Sequence, residues 1–222
     1  MIFSVGLGRY PVPVAEIGRI FWSTPLFNAT VGYSDPLWVV VAVVRLPRIL
    51  LVVICGLGLS LSGAAMQGVF RNPLVGPEIV GVSAGASLGG VLGIMFSFSS
   101  LGIILLAFIF GLLALAIAFG LARLSGRASI LALVLSGVIV GAFFSALVGL
   151  AQYIADPQTK LPSIVYWLLG SFVGATYKKV ALAAGITLVA GTGLLLLRWR
   201  INLLSLGDAD AEALGVNIEG LR

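Results

Sequence analysis

Five stretches of this chain run for eighteen residues or more without a single charged side chain. They are Ile49 to Phe70, Ile79 to Phe96, Leu101 to Ala122, Ser129 to Ala155 and Val180 to Leu197. Crossing a bilayer core of about 30 Å takes roughly 20 apolar residues in a helix, so each run matches one crossing. The breaks between them are abrupt: Arg71, Pro77-Glu78, Arg123, Asp156 and Arg198 each sit at an edge. The fold class expected is therefore all-α, a polytopic transmembrane helical bundle with about five full spans.

Composition closes the alternatives. Hydrophobic residues make up 60% of the chain and charged residues 9%, where a soluble domain carries about 25% charged. The net charge of +5 is scattered between apolar runs and forms no patch, so it does not suggest a nucleic-acid partner. Cys55 is the only cysteine, so the chain forms no internal disulfide. It has no histidine, and with it go the usual general base and the commonest metal ligand. It has no phosphate-binding G-x-x-x-x-G-K-[ST] loop and no nucleophile–base set. The expectation is a non-enzyme without cofactor or metal, whose energy comes from a separate subunit. No basic region precedes a clean apolar stretch at the start, so no signal peptide is read.

Shorter segments mark the organisation. Leu37 to Val44 is apolar for only eight residues before Arg45-Leu-Pro-Arg48, and a proline there suits the first turn of a helix. The first span is expected to open at Arg45, leaving 1–44 as an N-terminal remnant and outer loop and 45–200 as the bundle. Ile164 to Ala175 is too short to cross. It reads either as a helix at one membrane face, with Tyr166 and Trp167 at headgroup level, or as a re-entrant segment. No span interior is expected to hold an ionisable residue, which argues against a proton-coupled carrier.

Small residues recur at every fourth position: Gly56, Ser60, Ala64 and Gly68; Gly81, Gly85, Gly89 and Gly93; Gly137, Gly141, Ser145 and Gly149. Such stripes let helices approach closely where no hydrophobic drive exists. They are read as packing, or in one case as the lining of a translocation path. The fourth span is the choice for the path, through Gly141, Ser145, Gly149 and Gln152.

Charge gives no orientation. Arg71, Arg123, Arg127, Arg198 and Arg200 fall to one side and Arg45, Arg48, Lys160, Lys178 and Lys179 to the other, so the positive-inside rule ties. Basic residues on an outer face suit an acidic partner docking there.

Two polar segments stand apart. Arg71-Asn72-Pro73 to Pro77-Glu78 is a tight connection with two prolines that puts Glu78 at a helix start, where the dipole favours an acid. Ser205 to Gly215 has Asp208 and Asp210 at N-terminal positions and Gly215 at a C-terminal one. This frames a short helix, either a solvated linker or a docking element.

Arg45-Leu-Pro-Arg48, Ser62-Gly-Ala-Ala-Met-Gln-Gly68, Arg71-Asn-Pro-Leu74, Gly81-Val-Ser-Ala-Gly-Ala-Ser-Leu-Gly89, Tyr166-Trp-Leu-Leu-Gly170 and Leu203 to Gly215 follow in order. Together they resemble the FecCD family of permeases in binding-protein-dependent ABC importers of iron(III)-siderophores, haem and cobalamin. The resemblance implies a ten-helix permease in the cell membrane, a homodimer with the path at its interface, two ATP-binding ABC ATPase subunits and an extracytoplasmic substrate-binding protein. It implies that Arg45 and Arg48 dock the binding protein, and that 203–215 is a cytoplasmic coupling segment (Leu206, Gly207, Asp208, Asp210, Glu212, Leu214 and Gly215). It also implies that the fourth span lines the path and that Arg71, Asn72, Pro73 and Pro77 form a cytoplasmic loop. The chain would be one partial permease domain over 1–222, the second to sixth helices of ten. The alternatives are an ATP-independent carrier or channel, or a truncated remnant.

Overall fold

The computed structural model describes residues 12–13, 36–124 and 130–206, with only the backbone described at 205 and 206. Among the described residues every long element is a helix. We label them α1 (Pro36–Phe70), α2 (Val82–Met95), α3 (Ser100–Leu124), α4 (Ile130–Ile154), α5 (Lys160–Leu169) and α6 (Tyr177–Leu206). Four of them, α1, α3, α4 and α6, are long and apolar enough to cross a bilayer. The expected helical membrane bundle is what the chain forms, with three boundaries displaced for physical reasons.

The first displacement is in α1. Arg45 to Arg48 does not open the helix, and residues 36–44 are not an outer loop: the helix starts at Pro36 and passes through. Pro47 has no N–H and its ring opposes the carbonyl four residues back. The chain answers with a wide turn at Val39–Arg45, where the Leu46 N–H reaches the Val41 carbonyl five residues back. A π turn of this kind makes room for the ring without ending the helix. Pro47 is fully buried there.

The second is in α2. Pro77–Val80 forms a 3-10 turn with proline at its start and Glu78 in its first turn. Gly81 then takes a left-handed φ of 78°, and the α-helix begins only at Val82. Its 14 residues rise about 21 Å, short of a full crossing. The third is in α6, which is not closed by Arg198. It runs 30 residues to Leu206, about 45 Å, so Arg198 and Arg200 lie in its last turns, where long basic side chains can reach toward water.

Two compact units are formed. One comprises residues up to Leu61 together with Phe172–Leu195. In it the first part of α1 and the first part of α6 run parallel. A Cβ on Gly58 would lie 3.6 Å from Thr187 Oγ1, and one on Gly191 would lie 3.2 Å from Leu61 Cδ1. The Tyr177 hydroxyl donates to the Ala42 carbonyl at 2.6 Å.

The other comprises Ser62–Ser171 and the chain from Leu196. Its core joins Leu88 and Val91 of α2, Ala114 and Ala118 of α3, Val140, Phe144 and Val148 of α4 and Ile164 of α5. The glycine stripe of α2 is packing. A Cβ on Gly85 would strike the Phe110 carbonyl, one on Gly89 the Leu106 carbonyl, and one on Gly93 would sit 3.0 Å from Ile103 Cα. The facing side of α3 buries Ala107, Gly111, Ala114 and Ala118, so two smooth faces meet backbone to backbone.

Candidate functional site

The residues singled out in the sequence fall at four places. Arg45 and Arg48 lie one turn apart in α1, Arg45 as the last residue of the wide turn and Arg48 just past it, and both are half-buried. The Arg48 Nε is buried, with no hydrogen-bond acceptor among the described residues. They sit inside a continuous helix, not at its mouth.

The connection from α1 to α2 is built by local hydrogen bonds. Arg71 takes a left-handed φ of 52° and ends the helix. Asn72 Oδ1 accepts the Leu74 N–H at 2.9 Å, an Asx turn. The Gln67 side-chain amide reaches across to the Pro73 carbonyl at 3.0 Å. Pro77 opens the 3-10 turn. Arg71, Asn72, Pro73 and Pro77 thus form one rigid corner. Val75 and Val80 anchor it below, buried with Phe70 and packed against Val134 of α4. Gln67 belongs to this corner and was singled out only as part of a motif.

The stripe on α4 divides in two. A Cβ on Gly137 would meet the Ile79 carbonyl and come within 2.8 Å of Val80 Cα; one on Gly141 would be 3.7 Å from Gly81 Cα. Ser145 and Gly149 are exposed, with nothing near Gly149, and Gln152 is half-buried. Positions four apart on a helix of 3.6 residues per turn drift about 40° each step. The stripe therefore turns off the packed corner as it climbs. The exposed half continues to Tyr153, which is 89% exposed.

At the fourth place the helix begins earlier in the chain than the sequence suggests. The short helix is α5, Lys160–Leu169, not Ile164 to Ala175. Asp156 starts it: its carboxylate accepts the Thr159 N–H at 2.8 Å and the Thr159 hydroxyl. Those two bonds hold its carboxyl below the usual carboxylate range. Gly170, at φ 70°, ends it, its N–H bonding the Trp167 carbonyl at 3.1 Å. Lys160 Nζ donates to the Ile94 carbonyl at 3.1 Å and to the Ser97 hydroxyl. The ammonium thus caps the C-terminal end of α2, where a cation is favoured. The Trp167 indole lies directly over Gly90 of α2, and Ile164 is fully buried between them and the core. The short helix is clamped to α2 by an ammonium at one end and an indole at the other. The signals were the Asp156-x-x-Thr159 spacing and the paired Gly89-Gly90.

Of the coupling segment, Leu206 is the last described residue and ends α6. Gly207, Asp208, Asp210, Glu212, Leu214 and Gly215 lie outside the described residues. Among the described residues no group of His, Cys, Asp or Glu could hold a metal ion.

Comparison with known proteins adds three findings. The model of the FecCD transport family matches residues 1–222. Among curated proteins, a molybdate import system permease protein of Haemophilus influenzae is 45% identical over 222 residues, covering 100% of this chain and 65% of that protein. A probable iron chelatin transport system permease protein of Helicobacter pylori is 46% identical over 180 residues, 81% of this chain and 54% of that protein. Among solved structures, an inward-facing conformation of a metal-chelate type ABC transporter, itself described as putative, superposes with a TM-score of 0.80 at 41% identity. It covers 99% of this chain and 64% of that one. The chain spans just under two thirds of the length of the longest-matched of these relatives and about half of the other.

Proposed function

The chain belongs to the FecCD transport family, and on that premise we propose that it forms part of the membrane-spanning permease subunit of an ATP-driven importer. The observation that carries the reading is the family match along all of residues 1–222, on a fold whose long helices suit a multi-pass membrane protein. Such a subunit is a conduit and a relay, not an enzyme. ATP hydrolysis belongs to a separate pair of ABC ATPase subunits.

In this reading the two ends of the bundle receive different soluble partners. On the side where α1 begins, Arg45 and Arg48 take the substrate-binding protein by charge. On the other side the segment from Leu206 through Gly207, Asp208, Asp210, Glu212 and Leu214 to Gly215 meets the ATPase. The rigid corner of Arg71, Asn72, Pro73 and Pro77 lies at the α1–α2 turn, also on that side. Two copies pair along the open half of α4, so that Gly141, Ser145, Gly149 and Gln152 border the path. Small, weakly polar residues there let a bulky solute pass without tight binding.

The cargo is a metal-bearing solute. The relatives' names span an oxyanion, molybdate, and an iron chelate, so the range extends beyond iron-siderophore, haem and cobalamin. The test is uptake into proteoliposomes holding the permease and its ATPase, with the substrate-binding protein supplied on its docking side and accumulated iron, cobalt and molybdenum counted separately. ATP-dependent accumulation of one of them is expected. Accumulation without ATP or ATPase would instead support a secondary carrier. Charge reversal at Asp208 and Asp210 should release the ATPase on co-purification, and unchanged binding would sink the coupling assignment.

A further inference from the structure

We propose that Lys178, at the start of α6, extends the basic docking surface of Arg45 and Arg48 and meets a carboxylate of the same acidic protein partner. The proposal rests on the reading of Arg45 and Arg48 given above and adds to it a residue on a second helix.

The argument begins with a conflict. Tyr177, Lys178 and Lys179 open a 30-residue helix with no acid in its first turn. The N-terminal end of a helix is positive and favours anions, so two lysines there oppose the local field. Lys179 relieves its share by folding back: its Nζ donates to the Gly174 carbonyl at 2.9 Å. Lys178 does not. It is exposed and makes no hydrogen bond to any described residue. Stability of the fold gives no reason for a lysine at 178.

The register supplies one. In this unit α1 and α6 are parallel, with Gly58 opposite Thr187 and Leu61 opposite Gly191. Nine residues before Thr187 is Lys178, and nine before Gly58 is Ile49, the neighbour of Arg48. The Tyr177 hydroxyl, at the start of α6, reaches the Ala42 carbonyl, one turn before Arg45, so the two helices are tied together at this end as well. Counted back from Thr187 and on from Tyr177, Lys178 falls at a level between Val43 and Ile49 of α1, the stretch that holds Arg45 and Arg48. Three cations from two helices form a band with Lys178 as its exposed member. A single lipid phosphate carries too little charge to engage all three. A protein face with several spaced carboxylates matches the band in charge and extent.

The test uses the permease with its ATPase in nanodiscs of zwitterionic lipid and, as probe, the importer's own labelled substrate-binding protein, titrated at 50 and 300 mM salt. Lys178→Glu is expected to weaken binding about tenfold at low salt and much less at high salt, since exposed charge pairs are screened. Lys178→Gln should fall between, and Lys178→Arg should match the parent. Weakening by Arg45→Glu and Arg48→Glu with no effect of Lys178→Glu would overturn the proposal and leave the docking reading standing. Indifference of all three would remove both. An effect of Lys178→Glu that appears only with anionic lipid in the nanodisc would assign Lys178 to a headgroup instead, and would equally overturn the proposal.

Discussion

Gly89 and Gly90 are adjacent in the sequence, yet adding one methyl group to each should have different consequences. On Gly89 the new Cβ would strike the Leu106 carbonyl and lie 2.8 Å from Ala107 Cα. Both are backbone atoms of α3, and neither can rotate away. Carbon atoms sit comfortably about 3.5–4.0 Å apart, so α2 must retreat from α3 by about 1 Å. The retreat loosens the contacts at Gly85 and Gly93 as well. Overpacking of this kind costs about 1–3 kcal/mol, and no hydrophobic drive between helices offsets it in a bilayer.

On Gly90 the methyl meets the Trp167 indole, a side chain on the short helix α5. Trp167 can swing out, at the cost of its cover over α2 and of one end of the clamp. Gly90→Ala should therefore cost less, about 1 kcal/mol, and the cost should vanish when Trp167 is trimmed. The assay is thermal unfolding in detergent by near-ultraviolet circular dichroism, as a double-mutant cycle of each glycine with Trp167→Ala. At about 2–4 °C per kcal/mol for a chain of this size, Gly89→Ala should lower the midpoint by about 2–12 °C in either background. Gly90→Ala should lower it only when Trp167 is present. Equal coupling of both glycines to Trp167, or a harmless Gly89→Ala, would refute the backbone-contact account.

Three further outcomes are expected. Lys160→Met removes the donor to the Ile94 carbonyl and the Ser97 hydroxyl; it should cost about 1 kcal/mol and raise hydrogen exchange in α5, while Lys160→Arg preserves most protection. The Asp156 carboxyl is held below its ordinary value by the Thr159 bonds; its contribution is complete above the unfolded-state value near pH 4 and disappears as pH falls through the lower folded value. Asp156→Asn should abolish that acid-side loss of α5 protection, and an unchanged pH profile would speak against the cap. Gly149→Leu meets nothing within 4 Å, so the monomer should melt as before; if copies pair along α4, cross-linking through a cysteine at 150 should drop severalfold, and undiminished cross-linking would move the interface elsewhere.

Much of this fold is legible in the sequence because a bilayer imposes length. The centres of α1, α3, α4 and α6 follow from uncharged runs alone. The boundaries that shifted did so where a local marker had two physical answers. A proline preceded by eleven helical residues can end a helix or widen a turn, and at Pro47 the chain widens the turn. An arginine at the end of an apolar run can stop a helix or extend its last turns toward water, and at Arg198 it extends them. The clamp of α5 on α2 was harder to see, because Lys160 and Trp167 find partners more than sixty residues away, at Ile94 and Gly90. Nothing in a local window links those positions.

The period-four stripes carry the same ambiguity, and the geometry divides it by helix and by turn. On α2 Gly85, Gly89 and Gly93 each meet the backbone of α3, so the stripe there is a packing surface. On α4 the identical spacing begins as packing, with Gly137 against the Ile79–Val80 turn, and ends in the open at Gly149. The cause is the drift of a four-residue repeat on a 3.6-residue helix: over the three steps from Gly137 the stripe turns about 120°, enough to leave one neighbour and face another direction. A straight four-residue stripe longer than two turns cannot stay against a single partner unless that partner curves with it. α3 meets this demand for α2 with a small-residue face over 107–118, whereas the Pro77–Gly81 corner, being five residues long, meets it for α4 only at Gly137 and Gly141. The open half of the α4 stripe is thus the half the corner is too short to cover, and lengthening that corner by a helical turn should bury Ser145 and close the face to any partner.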